Sequence, residues 1–297
     1  MTSLPFDLVL VRHGQSEANV VQKREKNLGA ASAKAENPAP LPEAIKIFGR
    51  HDSRQRLTAA GRQQATTAGR WLAENGMAPS EFAGRFVSPY NRTLETAVRL
   101  DPDATWTPEA RLVERDWGEY GSTPAPNRTA QFPDTDRMRE MSAFFARMAG
   151  GESIFDTSFR VREFLGMCAR EFSDERVIAV AHGEVMWATR FVLERLMPHE
   201  WEELDDQKDQ RIKNCTILQY TRVDPHGSGE VAGSLSSGWT RIIDPIGGES
   251  PHGGQWRRLP GKRTLTAAEI MAIVERSEHL LPEGLLDASS AQQSGSD

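Results

Sequence analysis

Cysteine is nearly absent: Cys168 and Cys215 are the only two in 297 residues. Neither belongs to a Cys-x-x-Cys pair or a Cys/His cluster, which excludes the usual zinc frameworks and leaves two small buried thiols as the expectation. Long apolar runs are missing too. No stretch approaches the ~18 residues of a membrane-spanning helix. No basic patch followed by an apolar run opens the chain, so no signal peptide and no membrane partner are expected, and the default setting is cytoplasmic. Positive charge is in deficit, with 36 Lys and Arg against 42 Asp and Glu for a formal net charge of −6. Without a basic stripe, nucleic acid is not an expected partner, and any field attracting an anionic substrate must be local to a cleft. Apolar residues make up 38%, low for a globular chain, so long solvated segments should accompany one sizeable core. A phosphate-binding Walker loop is excluded as well: Gly261-Lys262 has Trp256 where the first glycine is needed and Arg263 where Ser or Thr should stand.

What is present is concentrated near the N-terminus. Leu8-Val9-Leu10-Val11 runs into Arg12-His13-Gly14-Gln15-Ser16-Glu17-Ala18-Asn19. Four consecutive apolar residues read as a strand buried on both faces, the kind a parallel sheet places at its centre. The polar, glycine-containing segment after it turns the chain at the strand's C-terminal end, where open α/β sheets hold their ligands. The pattern repeats at Val177-Ile178-Ala179-Val180-Ala181, followed by His182-Gly183-Glu184 and a helix to about residue 197. Between them Phe86-Val87-Ser88 reads as a strand delivering Pro89-Tyr90-Asn91-Arg92 to a helix N-terminus, where backbone N–H groups and the helix dipole favour anions.

These segments resemble the motifs of the histidine phosphatase superfamily, which includes phosphoglycerate mutases, acid phosphatases and many small phosphomonoesterases. Arg12-His13-Gly14 is similar to its RHG motif, Leu57-Thr58 through Ala65 to an LTxxGxxQA segment, Ser88 through Ala97 to SxxxRxxxTA, and His182 to its second histidine. Leu112-Val113-Glu114 through Gly118 resembles LxExxxGxxEG, although Tyr120 stands before Gly121 where that pattern has glutamate. The resemblance covers roughly residues 6 to 223. It implies an α/β fold, a three-layer αβα sandwich around a mostly parallel central sheet of the phosphoglycerate mutase-like type. A catalytic domain is expected over 1–223, with a loop insertion at 20–50, and a C-terminal extension of open role over 224–297.

The rest of the chain is read from composition and periodicity. The proline-rich stretch from Ala30 to Pro42 reads as a loop, a lid over the cleft or a surface excursion. Arg50, His51 and Arg54 beside it are candidates for a second anion contact. Thr58 is an expected N-cap for a helix to about Glu74. A proline-rich loop runs from Thr123 to Pro133. Residues 134–149 read as one helix with Met138, Met141, Phe144, Phe145 and Met148 on one side, and 156–172 as another. Thr216 to Val223 reads as an edge strand. Trp239 to Ile243 is a short strand in a glycine- and proline-rich region, Thr266 to His279 a helix, and the last ten residues disorder.

Phosphoryl transfer needs a nucleophile, neutralisation of the phosphoryl oxygens and a proton for the leaving oxygen. The resemblance gives His13 the first task, through a phosphohistidine. Arg12, Arg92 and His182 would supply positive charge and N–H donors, arginine because its planar fork matches two oxygens at once. Ser16, Asn19, Gly14 and Gly183 are the further candidates for binding the substrate. No metal or cofactor is expected. Glu114 occupies the acid/base position, with Asp116, Glu119 and Glu184 as rivals. The expected reaction is hydrolysis of a small phosphorylated substrate, with sugar phosphates, nucleotides and phosphoproteins all open and room for a homodimer. A phosphoglycerate-type mutase is the alternative. Against it, Glu184 stands where mutases of the family resemble one another in having asparagine, and Arg128, Arg137 and Arg139 are scattered in the sequence. A non-catalytic phospho-ligand scaffold is the alternative of another class, and the complete set of Arg12, His13, Arg92, Glu114 and His182 argues against it.

Overall fold

The structure, a computed structural model, describes residues 6–31 and 39–278. In chain order the elements are β1 (Asp7–Arg12), α1 (Glu17–Ala31), α2 (Pro42–Phe48), α3 (Ala59–Glu74), β2 (Gly84–Val87), α4 (Asn91–Leu100), β3 (Thr107–Pro108), α5 (Gly118–Ser122), α6 (Ala125–Gln131), α7 (Pro133–Met141), α8 (Ile154–Glu171), β4 (Arg176–Ala181), α9 (Gly183–Leu193), α10 (Pro198–Asp205), β5 (Ile217–Thr221), β6 (Trp239–Ile243), β7 (Arg257–Arg258) and α11 (Ala267–Val274). One seven-stranded sheet has the order β3-β2-β4-β1-β5-β6-β7. The pairs β3–β2, β2–β4 and β4–β1 are parallel, and β1–β5, β5–β6 and β6–β7 are antiparallel.

The apolar runs of β1 and β4 are explained by their position, because alternate side chains enter two separate cores. Leu8 and Leu10 join Val177, Ala179, Phe164 and Val185 on the α8/α9 face. Val9 and Val11 join Ile178, Val180, Ala68, Leu72 and Ala97 on the α3/α4 face. Leu8, Val9, Leu10 and Val11 are all buried, so the sheet is the middle of three layers. Capping sets the helix starts. Thr58 accepts the Gly61 N–H at 3.0 Å, and Ser153 and Asp156 form a reciprocal capping box on α8.

Several expectations change. The short helix expected over Val20 to Lys26 is part of α1, which runs on to Ala31, and a second helix, α2, fills much of the rest of the described 20–50 insertion. Pro42 takes the first turn of α2, where its missing N–H costs nothing, and Ala44 and Phe48, four residues apart, pack on Val21 of α1. Residues 32–38, the middle of that expected loop, lie outside the described residues. The proline-rich stretch after Thr123 contains α6. The helix expected over 134–149 stops at Met141, because Glu202 of α10 accepts the Ser142 hydroxyl (2.5 Å) and the Phe144 N–H (3.1 Å). Its apolar stripe therefore splits, with Phe144 and Met148 in the core and Met141 and Phe145 exposed. α9 ends at Leu193, short of 197. Strand β5 is interior rather than at an edge, buried at every residue between β1 and β6.

The chain forms two compact units, Met1–Gly261 and Lys262–Asp297. The sheet therefore continues past the expected boundary at 223: β6 and β7 extend it antiparallel to β5, and Trp239, Ile242 and Leu259 are buried. In the second unit α11 begins with a Thr266/Glu269 capping box and ends at Val274 rather than at 279. The expected disorder of the last ten residues lies outside the described residues. Both cysteines are free and buried, and burial pushes each thiol up to about 12. Among the described residues no helix is long and apolar enough to cross a membrane.

Candidate active site

Three neighbouring parallel strands end at one edge of the sheet. β1 delivers Arg12 and His13, β4 delivers His182, and β2 delivers Ser88 just before α4. The ladder carries on across these residues: His13 N–H donates to the Ala181 carbonyl and Ser88 N–H to the Val180 carbonyl, both at 3.0 Å. The rings of His13 and His182 meet edge to face with centroids 5.2 Å apart. Arg92, in the first turn of α4, reaches His13 from the side, and Glu114 approaches His182, with its Oε2 3.9 Å from Nδ1. Arg12, His13, Arg92 and Glu114 border a cleft of about 960 Å³, and His182 and Ser88 lie buried behind its wall.

The loop holding His13 is clamped by α3. Gln15 N–H donates to Gln64 Oε1 at 2.9 Å, and Thr58 N–H donates to the Gln15 carbonyl at 3.0 Å. Gly14 and Gly61 let the two backbones touch, since a Cβ on Gly14 would lie 2.3 Å from the Gly61 carbonyl oxygen. The LTxxGxxQA segment is thus a clamp on the histidine loop.

Hydrogen bonds assign the tautomer of His13. Nδ1 lies 2.7 Å from the Gly14 carbonyl, which can only accept, so Nδ1 carries the proton. Nε2 is left unprotonated, and its one lone pair accepts from Arg92 Nε–H at 3.2 Å. Burial, and then the positive charge of Arg92 and Arg12, hold the His13 pKa well below the usual imidazole range. His182 is lowered in the same way by burial, Arg92, His13 and Arg12. The expectation that His182 adds positive charge is corrected: buried next to two guanidiniums it is neutral, and it brings an N–H or a lone pair instead. Its Nε2 pairs with Ser88 Oγ at 2.8 Å, while Nδ1 has no hydrogen-bond partner among the described residues. Arg12 donates Nη1–H to the Ile212 carbonyl at 2.5 Å, and its buried Nε is likewise without a partner. Burial, reinforced by Glu184, raises the Glu114 carboxyl to about 7.

The other candidates are placed as follows. Gly183, the first residue of α9, borders the cleft beside Arg12. Gly14 does not border it and spends its N–H on Thr96 Oγ1 at 3.1 Å. Ser16 and Asn19 line the cleft but cap α1 reciprocally, with Ser16 N–H on Asn19 Oδ1 and Asn19 N–H on Ser16 Oγ. Of the rival carboxylates, Glu184 faces Arg115 Nη1 at 3.4 Å, and Asp116 accepts the Gly118 N–H. Glu119 lies on the wall in α5. Arg50 and His51 line the cleft and Arg54 does not. Arg128 and Arg139, outside the motifs in sequence, also come to this wall, with Arg128 over the Tyr120 ring at 4.8 Å. Asp52, Ser88, Arg115 and Trp117 were not singled out from sequence. Ser88 was within reach of such reading, as the first residue of the SxxxR segment.

His13, Glu114 and His182 each offer a ligand atom within 4.8 Å of the others, a spacing a metal ion would accept. Yet Arg92 points an N–H at the same His13 nitrogen, and Arg12 lies beside His182. The electrostatics of the set favour an anion over a cation.

Fold and cleft together define an α/β protein with paired histidines at the ends of adjacent parallel strands and two arginines beside them. The chain belongs to the histidine phosphatase superfamily (branch 1), whose family model matches residues 36–225. Similar proteins include the 2,3-bisphosphoglycerate-dependent phosphoglycerate mutases of Methylorubrum populi and Azorhizobium caulinodans. The first is 29% identical over 196 residues, covering 63% of this chain and 78% of that protein. The second is 30% identical over 201 residues, covering 64% and 82%. Among solved structures, a mycobacterial glucosyl-3-phosphoglycerate phosphatase complexed with VO3 shares the fold at TM-score 0.53 and 21% identity, over 80% of this chain and 96% of that one. An Entamoeba histolytica phosphoserine phosphatase in complex with 3-phosphoglyceric acid does so at 0.52 and 18%, over 77% and 98%.

Proposed function

We propose that the protein is a phosphomonoester hydrolase that passes the phosphoryl group first to His13 and then to water. The observation that carries this reading is the His13 tautomer: Nδ1–H is spent on the Gly14 carbonyl, so Nε2 is unprotonated, and its lone pair is free to attack once the Arg92 Nε–H turns to a phosphoryl oxygen. In the first step Nε2 attacks phosphorus, the bond from phosphorus to the ester oxygen breaks, and the Glu114 carboxyl gives its proton to the departing alkoxide. In the second step water attacks the phosphohistidine, the Glu114 carboxylate takes the water's proton, and the N–P bond breaks to restore neutral His13 and release inorganic phosphate. A carboxyl raised to about 7 suits both halves, since it holds a proton and yields it near neutral pH. Arg12 and Arg92 carry the positive charge that meets the phosphoryl oxygens, with no metal required. If Ser88 donates its hydroxyl proton to His182 Nε2, the His182 proton sits on Nδ1, on the side of Glu114, as a further donor. The substrate is a small phosphorylated molecule, in keeping with the substrates named for the similar proteins. Asn19 and Gly183 at the cleft wall are its further contacts in this reading. Cytoplasmic action belongs to the same reading.

The names of the sequence relatives favour a second reading, a phosphoglycerate-type mutase, in which a phosphorylated acceptor replaces water on the same His13. Glu184 favours hydrolysis, because the resemblance implies asparagine at that position in a mutase. The test is rapid quench with a 32P-labelled phosphomonoester. Hydrolysis predicts acid-labile, alkali-stable phosphate on His13, absent in His13→Ala, and inorganic phosphate release that chelators leave unchanged. Turnover with no trapped phosphoprotein, or equal rates in His13→Ala, overturns the reading. Phosphoryl exchange between monophosphates that depends on a bisphosphate primer establishes the mutase instead.

A further inference from the structure

The guanidinium of Arg92 is 3% exposed as part of its residue and has partners on three sides. Nε donates to His13 Nε2 at 3.2 Å. Nη1 donates both to the Asp52 carbonyl oxygen at 2.8 Å and to Asp52 Oδ1 at 3.1 Å, and Nη2 donates to Asp52 Oδ2 at 2.8 Å. A guanidinium has five N–H groups arranged in two forks. Asp52 consumes the terminal fork, formed by Nη1 and Nη2, and also the remaining hydrogen of Nη1. What is left is Nε–H and the second Nη2–H. These two lie parallel on a single edge, and the Nε–H of that edge is aimed at the nucleophilic nitrogen.

From this division of the donors we infer that Asp52 is a positioning residue for phosphoryl transfer: it ties down the outer end of Arg92 so that the inner edge presents two parallel N–H groups where a phosphoryl group on His13 must sit. The inference rests on the proposed role of His13. A carboxylate also has two acceptor oxygens, as a phosphoryl group does, so Asp52 would compete with substrate if it held the inner edge. It holds the opposite one. The carboxylate is itself 45% exposed and lies at the start of a short 3₁₀ turn, Asp52–Arg54. That turn is fixed to the helix carrying Arg92. Asn91 Nδ2–H donates to the Arg54 carbonyl at 3.3 Å, and the Ser53 N–H is capped by His51 Nδ1 at 3.2 Å. The Tyr90 ring lies under the guanidinium, 5.0 Å from centroid to Cζ, and limits its swing. The segment between α2 and α3 thereby becomes part of the site's support.

The test is a double-mutant cycle between Asp52→Ala and Arg92→Ala, with Asp52→Glu as the conservative variant. Hydrolysis of 4-nitrophenyl phosphate and calorimetric binding of inorganic phosphate are the two readouts, and thermal midpoints check folding. Asp52→Ala should lower kcat/KM by about 10- to 100-fold, the scale of a misplaced positioning group, and weaken phosphate binding. Asp52→Glu should recover part of both. In the Arg92→Ala background, Asp52→Ala should change either readout by less than about threefold, as coupled neighbours require. Equal losses in the two backgrounds would overturn the inference, because Asp52 would then act independently of Arg92. Tighter phosphate binding by Asp52→Ala would overturn it too, because Asp52 would then be a competitor for the fork. A wild type that binds phosphate but hydrolyses no ester sinks the hydrolase reading alone, since the binding cycle still measures the coupling. A wild type that does not bind phosphate overturns the inference as well.

Discussion

Arg92 Nε–H rests 3.2 Å from the nitrogen of His13 that faces the cleft. One contact thus joins the group that meets the phosphoryl oxygens to the group that attacks phosphorus. It has a consequence for pH. After burial, Arg92 is the largest influence holding His13 below the usual imidazole range. A depressed imidazole pKa keeps the neutral, attacking form populated to lower pH. Removing Arg92 must therefore raise the pKa of His13 and move the acid limb of kcat/KM to higher pH. Arg92→Lys should restore charge without the fork, keep the acid limb near the wild-type position, and still cost about 10²–10³-fold in kcat, the loss typical of one preorganised oxyanion donor. Two pH–rate profiles check both statements. An Arg92→Ala limb that stays in place contradicts the electrostatic coupling.

Glu114 sits in surroundings that favour its protonated form. Burial and the neighbouring Glu184 raise it from 4.5 to about 7. Loss of the protonated form then sets an alkaline limb near pH 7, which Glu114→Gln should abolish. An alkyl phosphate needs its leaving oxygen protonated, whereas 4-nitrophenolate leaves unaided. Glu114→Gln should therefore cost about 10²–10⁴-fold with an alkyl phosphate, the usual worth of a general acid, and far less with 4-nitrophenyl phosphate. Stability carries the same signature. A carboxyl raised on folding gives the native state its relative advantage below the unfolded pKa and forfeits it as pH rises through the folded one. Glu114→Gln should match the wild type below about pH 4.5 and exceed it above pH 7, by an amount on the order of 3 kcal/mol for a shift of this size. Urea titrations at the two pH values decide it.

How much of this could be read before folding depends on the range of the interaction involved. The strands before His13 and His182 were legible because a strand buried on both faces must be apolar without interruption, and Leu8–Val11 and Val177–Ala181 are. The convergence of Arg12, His13, Arg92 and His182 followed from placing their strands at one sheet edge, whereas Glu114 was legible only through the resemblance. What stayed hidden depends on distant partners. Helix α7 ends at Met141 because Glu202, sixty residues on from Ser142, takes the Ser142 hydroxyl and the Phe144 N–H. Strand β5 is interior because β6 and β7 pair beyond it, in a stretch whose glycines and prolines suggested a change of domain. Asp52 leaves no periodic mark, since its meaning is a bond to Arg92 across forty residues.

Gly14 offers a test of the clamp on the histidine loop. A methyl group there would meet the Gly61 carbonyl oxygen at 2.3 Å and its carbon at 3.0 Å, and both are backbone atoms that no rotamer change can move aside. Gly14→Ala must push β1's loop off α3, at a cost of about 1–3 kcal/mol as for other overpacked sites. The displaced segment carries the carbonyl that fixes the His13 tautomer, so activity should fall further than the folded fraction does. Denaturation midpoints and kcat measured on the same preparation separate the two losses.

Arg190 tests a buried ion pair remote from the chemistry. It is fully buried in α9, with Nε donating to Glu194 Oε1 at 2.9 Å and its guanidinium 4.5 Å from the Trp187 ring. Glu194 is itself buried and accepts the Tyr220 hydroxyl at 3.1 Å, while Arg257 stands 3.5 Å from its other oxygen. Replacing Arg190 by Met keeps the volume and strands most of a buried carboxylate charge, which ordinarily costs about 3–5 kcal/mol. Arg257 is present to offset part of that, so the lower end is expected. Glu194→Gln in the same chain removes the stranded charge but keeps an oxygen for Tyr220. The double variant should therefore be more stable than Arg190→Met alone. If the two are equally unstable in urea, the loss comes from the packing of Arg190 on Trp187 and not from the charge of its partner.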